Sequence, residues 1–194
     1  MTFRDKYEAY SIAANWTLLQ ARPRGCVLPH FMSDFGHGSF AFGLDFGSFR
    51  DLQRHRNGVV RMPLLSTNLG FEPWYLSQLD DDTWAEAKEL IEIQTERIEK
   101  LKVSGHDATP VEKQYYTALG FRVPCVVTMG LPALLYFLEL RTQKTVHPTL
   151  RTRALQMAKQ FIEAHSGIAL HIDNDPDDWT VRRGEQTITE RARA

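Results

Sequence analysis

From Ser39 to Phe46 the chain alternates strictly, with Phe40, Phe42, Leu44 and Phe46 at every second place and Ser39, Ala41, Gly43 and Asp45 between them. Successive side chains of a strand point to opposite faces, so this pattern predicts a strand with one aromatic face and one face of small residues. The aromatic face requires a core. The small face admits a helix or a flat ligand close to the backbone. A second alternation, Phe121, Val123, Cys125 and Val127, predicts another strand, which Pro124 assigns to an edge or a bulge because proline has no ladder donor.

The intervening segments carry helical signals. Tyr7, Tyr10, Ala14 and Leu18 recur at helical spacing and predict an N-terminal helix over residues 5–20, closed by Pro23 and Gly25. Thr83 to Glu86 reads as a capping box for a long helix reaching residue 103, with Trp84, Ala87, Ile91, Ile98 and Leu101 on one face. A short helix over 111–119 closes at Gly120, another starts at Leu131-Pro132, and a third spans 148–165. Residues 168–172 suggest a last strand, and residues 59–79, with scattered Pro and Gly, an irregular packed loop or lid.

Directly after the aromatic strand comes Phe49-Arg50-Asp51-Leu52-Gln53-Arg54-His55-Arg56. Three adjacent cationic or titratable groups cannot all enter a core, because an unpaired buried charge costs several kcal/mol. Gly47-Ser48 predicts a helix start and Asn57-Gly58 a stop, which puts Arg54, His55 and Arg56 in the last turn of a short helix. They are then either a solvated helix end or an anion site working through side chains. Arg141 poses the same choice. It follows Leu134 and Leu138 on one helical face, as a snorkelling end residue or as an anion or nucleobase ligand at a pocket rim. The extended segment over 22–38 brings His30, Ser33 and His37 near the strand, but no carboxylate or cysteine completes a metal-ligand set, so no metal is expected.

Charge narrows the partners. With 23 Lys and Arg against 24 Asp and Glu the net charge is −1, so there is no global field for nucleic acid or membrane and any anion binding is local. The longest apolar stretch, over 123–140, is broken by Pro124, Gly130 and Pro132, against a spanning helix. Cys26 and Cys125 form no CxxC pair and no leader segment is legible, which points to a reducing, cytoplasmic setting.

Two stretches together resemble the flavin-dependent thymidylate synthase family. The first is His37-Gly38-Ser39-Phe40-Ala41-Phe42 followed by Arg54-His55-Arg56; the second is Leu134 to Arg141 with the Glu139-Leu140-Arg141 ending, then His147-Pro148 and Arg151. The likeness is collinear over about residues 29–161. It implies an α/β (α+β) single domain over 1–172, a mixed sheet flanked by helices, with a polar C-terminal tail over 173–194. It also implies a homotetramer whose sites form at subunit contacts, and a reaction in which FAD, reduced by NADPH, relays a methylene group from methylenetetrahydrofolate to carbon 5 of a pyrimidine nucleotide, dUMP or a related one.

By position, the resemblance sets Ser33, His37, His55 and Arg56 against the flavin. Asp51, Gln53, Arg54, Ser66, Arg141 and His147 fall to the nucleotide, with Arg141 favouring the N3-ionised pyrimidine through electrostatic preorganisation. The family's polar FAD and nucleotide positions read Gly130, Pro132 and Tyr136 here, and a helix arginine reads Gln114. These differences motivate an alternative expectation: a non-catalytic relative that keeps the fold as a nucleotide- or flavin-binding or partner subunit.

Overall fold

The aromatic strand lies inside a four-stranded sheet, and its apolar face is the floor of the core. The computed structural model describes residues 1–175. In chain order these are β1 (Thr2–Tyr7), α1 (Ala9–Ala14), α2 (Trp16–Gln20), a 3-10 turn (His30–Phe35), β2 (Gly36–Asp45), α3 (Phe46–Leu52), β3 (Gly58–Arg61), α4 (Pro73–Leu76) and α5 (Asp81–Glu99). The small ribbon β4 (Lys102–Val103) and β5 (His106–Asp107), then α6 (Pro110–Lys113), a 3-10 turn (Gln114–Tyr116), β6 (Arg122–Gly130), α7 (Leu131–Arg141) and α8 (Pro148–Ala164) complete them. Helices and sheet make an α+β fold. The strand order is β1-β2-β6-β3, and every pairing is antiparallel where a mixed sheet is expected.

Register explains the burial. Phe40, Phe42 and Leu44 stand opposite Val127, Cys125 and Val123, and all six are buried. Helix α7 is buried almost all round, through Leu131, Leu134, Leu135, Phe137 and Leu138, as a helix apolar on every side must be. Helix α8 turns Leu150, Ala154, Met157 and Phe161 inward. The opposite sheet face is the small one: Ser39 and Thr128 join across it through hydroxyls 2.9 Å apart, and Ala41 is exposed.

Several expectations are corrected. Residues 2–7 form a strand, because pairing with β2 from Gly36 to Ala41 overrides the helical spacing of the tyrosines, and the helix that follows breaks at Asn15. Phe3 stacks on Phe40 with ring centres 4.4 Å apart. Helix α3 begins at Phe46 with Asp45 as its cap, accepting from the Ser48 amide at 2.9 Å, while the Ser48 hydroxyl is 2.6 Å from that of Thr149. Asp80 rather than Thr83 caps α5, and of that helix only Ile98 is buried, leaving Trp84 and Leu90 exposed. The 111–119 helix is a single turn plus a 3-10 turn, under a capping box of Thr109 and Glu112.

Residues 59–61 belong to β3, paired with β6, and not to a loop. That pairing makes β6 internal, yet Pro124 obeys the edge rule locally. The Arg122 amide donates to the Gly70 carbonyl on the side away from β2, Pro124 faces the same way two residues on, and β3 pairs only from Val126 to Met129. Residues 168–172 are not a strand; their polar groups are taken up by Leu19, Arg22 and Glu139 instead. Contacts of the body continue past residue 172, since buried Arg151 lies 3.6 Å from the Asp173 carboxylate and donates to the Asp175 carbonyl. The rest of the expected tail, 176–194, lies outside the described residues.

The β1–β2 pairing depends on Gly36. Its φ is +116°, and a Cβ there would sit 1.9 Å from the Lys6 carbonyl oxygen. Gly36→Ala is therefore expected to cost about 1–3 kcal/mol in backbone strain, seen as a lower urea midpoint with an unchanged slope. An unaltered midpoint would show that β1 is not held in this register.

Candidate functional site

The Arg54-His55-Arg56 triplet sits in a turn between two anchored elements, not in the last turn of a helix. Because Asp45 starts α3 early, the helix ends at Leu52. The His55 amide then donates to Leu52 O at 3.0 Å and the Arg56 amide to Arg54 O at 3.1 Å, after which β3 begins at Gly58. The far anchor is tight, since a Cβ on Gly58 would come within 2.4 Å of the Met129 side chain. Local hydrogen bonding thus turns three basic side chains outward without a helix to carry them.

They turn onto a cavity of about 710 Å³, within the range of about 300–1,000 Å³ that holds small-molecule ligands. Its polar wall is His30, Ser33, Arg54, His55, Arg56 and Asn57. Its apolar wall is Val27, Leu28, Met129, Pro132 and Ala133, with Tyr136 beside them. Three elements meet here. The 3-10 turn brings His30 and Ser33, and it approaches closely because residue 130 is glycine: a Cβ there would be 3.3 Å from Ser33 Cα and Cβ. The first turn of α7 brings Pro132 and Ala133, so the positive pole of that helix adds to Arg54 and Arg56. An apolar slot with a basic edge suits a flat aromatic group carrying an anion.

Behind His55 stands Arg141. Its Nε donates to His55 Nε2 at 2.9 Å and its Nη2 to the Asp51 carbonyl at 2.8 Å, which ties the end of α7 to the end of α3. The His55 ring packs edge-on against Phe137, ring centres 4.9 Å apart. Burial, and then the Arg141 charge, push the His55 pKa down to about 4, with Asp51 pulling the other way. Burial likewise lowers the Arg141 pKa.

Of the residues singled out in the sequence, His30, Ser33, Arg54, His55 and Arg56 line the one cavity, and Arg141 touches it only through His55. Asp51 contributes its carbonyl to Arg141 and its carboxylate to Arg54, 3.5 Å away. The others lie elsewhere. His37 is exposed on β2 opposite Gly130, Gln53 is the exposed cap of α3, and Ser66 is half-buried in the loop after β3. His147 belongs to a separate polar chain at the other end of α3. Its Nδ1 is 3.0 Å from the Thr149 hydroxyl, and its ring packs on Trp74 with centres 4.8 Å apart.

Sequence reasoning missed Asn57 as a lining residue and the Val27-Leu28 wall. Tyr136, read from the resemblance as a position where a polar family residue is replaced, does line the cavity, whereas Val27 and Leu28 carried no signal. That wall is positioned by a buried ion pair. The Arg22 guanidinium grips both oxygens of the Glu139 carboxylate and donates to the carbonyls of Cys26, at 2.5 Å, and Ala169, at 2.8 Å. Among the described residues no group of three or more His, Cys, Asp or Glu is placed to hold a metal ion, and no helix is long and apolar enough to cross a membrane.

No family model matches the chain. It is 33% identical over 129 residues to a UPF0159 protein of Chlamydia muridarum, an alignment covering 65% of this chain and 23% of that protein. It is 32% identical over 134 residues to a UPF0159 protein of Thermoplasma acidophilum, covering 67% and 26%. A UPF0159 protein of Chlamydia pneumoniae is 28% identical over 155 residues, covering 79% and 27%. The chain therefore spans about a quarter of the length of the curated relatives it matches.

Proposed function

We propose that the cavity is the flavin and nucleotide site of an enzyme resembling flavin-dependent thymidylate synthase, which transfers a one-carbon unit to carbon 5 of a pyrimidine nucleotide. The observation that carries this reading is the meeting of Ser33 with Arg54, His55 and Arg56 in one cavity, from segments at least 21 residues apart. The residues present fit the group. Leu28, Met129 and Pro132 offer an apolar surface to a flat ring, and Arg54 and Arg56 offer charge to phosphate. FAD, when bound, supplies the reducing and carrier chemistry, with NADPH and methylenetetrahydrofolate as co-substrates.

The chain's own residues bind and polarise. Ser33 and neutral His55 supply hydrogen bonds without net charge, while Arg54 and Arg56 neutralise phosphate at the mouth. Arg141, behind His55, adds a fixed positive potential that stabilises negative charge developing on the pyrimidine. Exposed Trp84, Leu90 and Ile93 on α5 support assembly into the homotetramer that this reading entails. The reading places the protein in the cytoplasm. A second reading, a non-catalytic nucleotide- or flavin-binding subunit, is favoured by Pro132 and Tyr136, which line the cavity without the charged groups of the resembled family.

Flavin titration tests the cavity directly. FAD fluorescence is expected to quench saturably on adding the protein, and Arg56→Ala to weaken binding about 10- to 150-fold, the equivalent of one charge-assisted hydrogen bond. Absence of both quenching and a flavin absorption band would reject the flavin assignment. Turnover abolished by Arg141→Ala would reject the non-catalytic alternative.

A further inference from the structure

An arginine can only donate hydrogen bonds. Where Arg141 Nε meets His55 Nε2 at 2.9 Å, the imidazole nitrogen must therefore supply its lone pair. A neutral ring that accepts at Nε2 carries its proton on Nδ1. Nδ1 makes no hydrogen bond within the described residues, and it is not among the buried polar atoms that lack a partner, so it reaches accessible space. The ring that bears it lines the cavity and is fixed by the edge-on contact with Phe137.

We infer that Arg141 is a positioning residue for His55, holding it as the neutral Nδ1-protonated ring so that it presents a hydrogen-bond donor to the cavity. The ligand group matched by such a donor is an acceptor without a proton to give, such as a ring carbonyl or an imine nitrogen; an ammonium or amide N–H is refused. This deepens, and as to ligand rests on, the flavin and nucleotide reading, but the state of the ring belongs to the chain alone. The charged groups acting on it are Arg141, which opposes protonation, and Asp51, which favours it. Arg54 in turn acts on Arg141. Because the imidazolium has no lone pair to offer Nε, protonation would cut the link between α7 and the turn.

Nitrogen-15 NMR of the ligand-free full chain, with the His55 signal assigned by its loss in His55→Gln, decides the matter without reference to FAD. The expected spectrum has a protonated Nδ1 and an unprotonated Nε2, with no titration until pH approaches about 4. Arg141→Met, which keeps bulk but donates nothing, is expected to move the proton toward Nε2 and shift the midpoint up toward the ordinary value of about 6.5. A proton on Nε2 in the unsubstituted protein, or a midpoint near 6.5, overturns the inference even if the Met variant does not fold. An unchanged ring in a folded Arg141→Met protein overturns it as well. Failure of FAD to bind, with the ring as expected, would instead remove the flavin reading and leave the tautomer assignment standing.

Discussion

Glu139→Leu is expected to destabilise the protein by about 3–5 kcal/mol, the cost of leaving a buried charge without its partner. The Arg22 side chain is 5% exposed and that of Glu139 15%. The carboxylate takes both ends of the guanidinium and also the His171 amide at 2.9 Å, while the Arg22 carbonyl is 2.8 Å from His171 Nε2. Four segments meet at this pair: the residues after α2, the Val27-Leu28 wall, α7, and the extended stretch that residues 168–172 adopt in place of a strand. For a chain of this size each kcal/mol moves the melting temperature by about 2–4 °C, so calorimetry should read a fall of about 6–20 °C. The double variant Arg22→Met with Glu139→Leu should recover most of it, because apolar side chains replace both charges together. If the double variant melts as low as the single one, packing rather than charge pairing holds these segments, and the account of the pair is wrong.

On the proposed reading, Arg141→Ala should lower kcat on the pyrimidine nucleotide by about 100- to 1,000-fold, the usual effect of removing one preorganised charge or donor from a site where charge develops. The mechanism predicts where the loss falls. Arg141 does not line the cavity, so FAD affinity and KM should change much less than kcat. Arg141→Lys should recover only part of the rate. A lysine keeps the charge but cannot donate in the fixed fork that spans His55 Nε2 and the Asp51 carbonyl. Steady-state turnover with FAD, NADPH and methylenetetrahydrofolate, measured beside the flavin titration, separates these effects. Full activity in the alanine variant would remove Arg141 from the reaction.

The legible parts of the chain were those whose side chains report their own surroundings. Phe40, Phe42 and Leu44 needed a core on one side, and their spacing could satisfy that only as a strand. The apolar faces of α7 and α8 were equally readable. The caps were less so. Ser48 and Thr83 were each one good acceptor among several nearby, and Asp45 and Asp80 took their places, because a carboxylate free to turn onto the N–H groups competes well with a hydroxyl. Strands β1 and β3 were invisible for a different reason. Each is short and half-exposed, and each exists only because β2 or β6 offers it a ladder.

The site divides along the same line. Its basic edge was readable, since Arg54, His55 and Arg56 cannot share a core whatever the fold, and so must meet water, a carboxylate or an anion. Their setting was not. That they occupy a turn and not a helix end, that Ser33 comes to them across Gly130, and that Arg141 reaches the cavity only through His55 depend on contacts between residues 20 to 100 places apart. By itself the sequence determined which groups had to be buried and which could not be, because transfer free energy and charge desolvation belong to each side chain. Only the tertiary structure decided which of them met, because hydrogen bonds and electrostatic coupling depend on distances that the folded chain alone establishes.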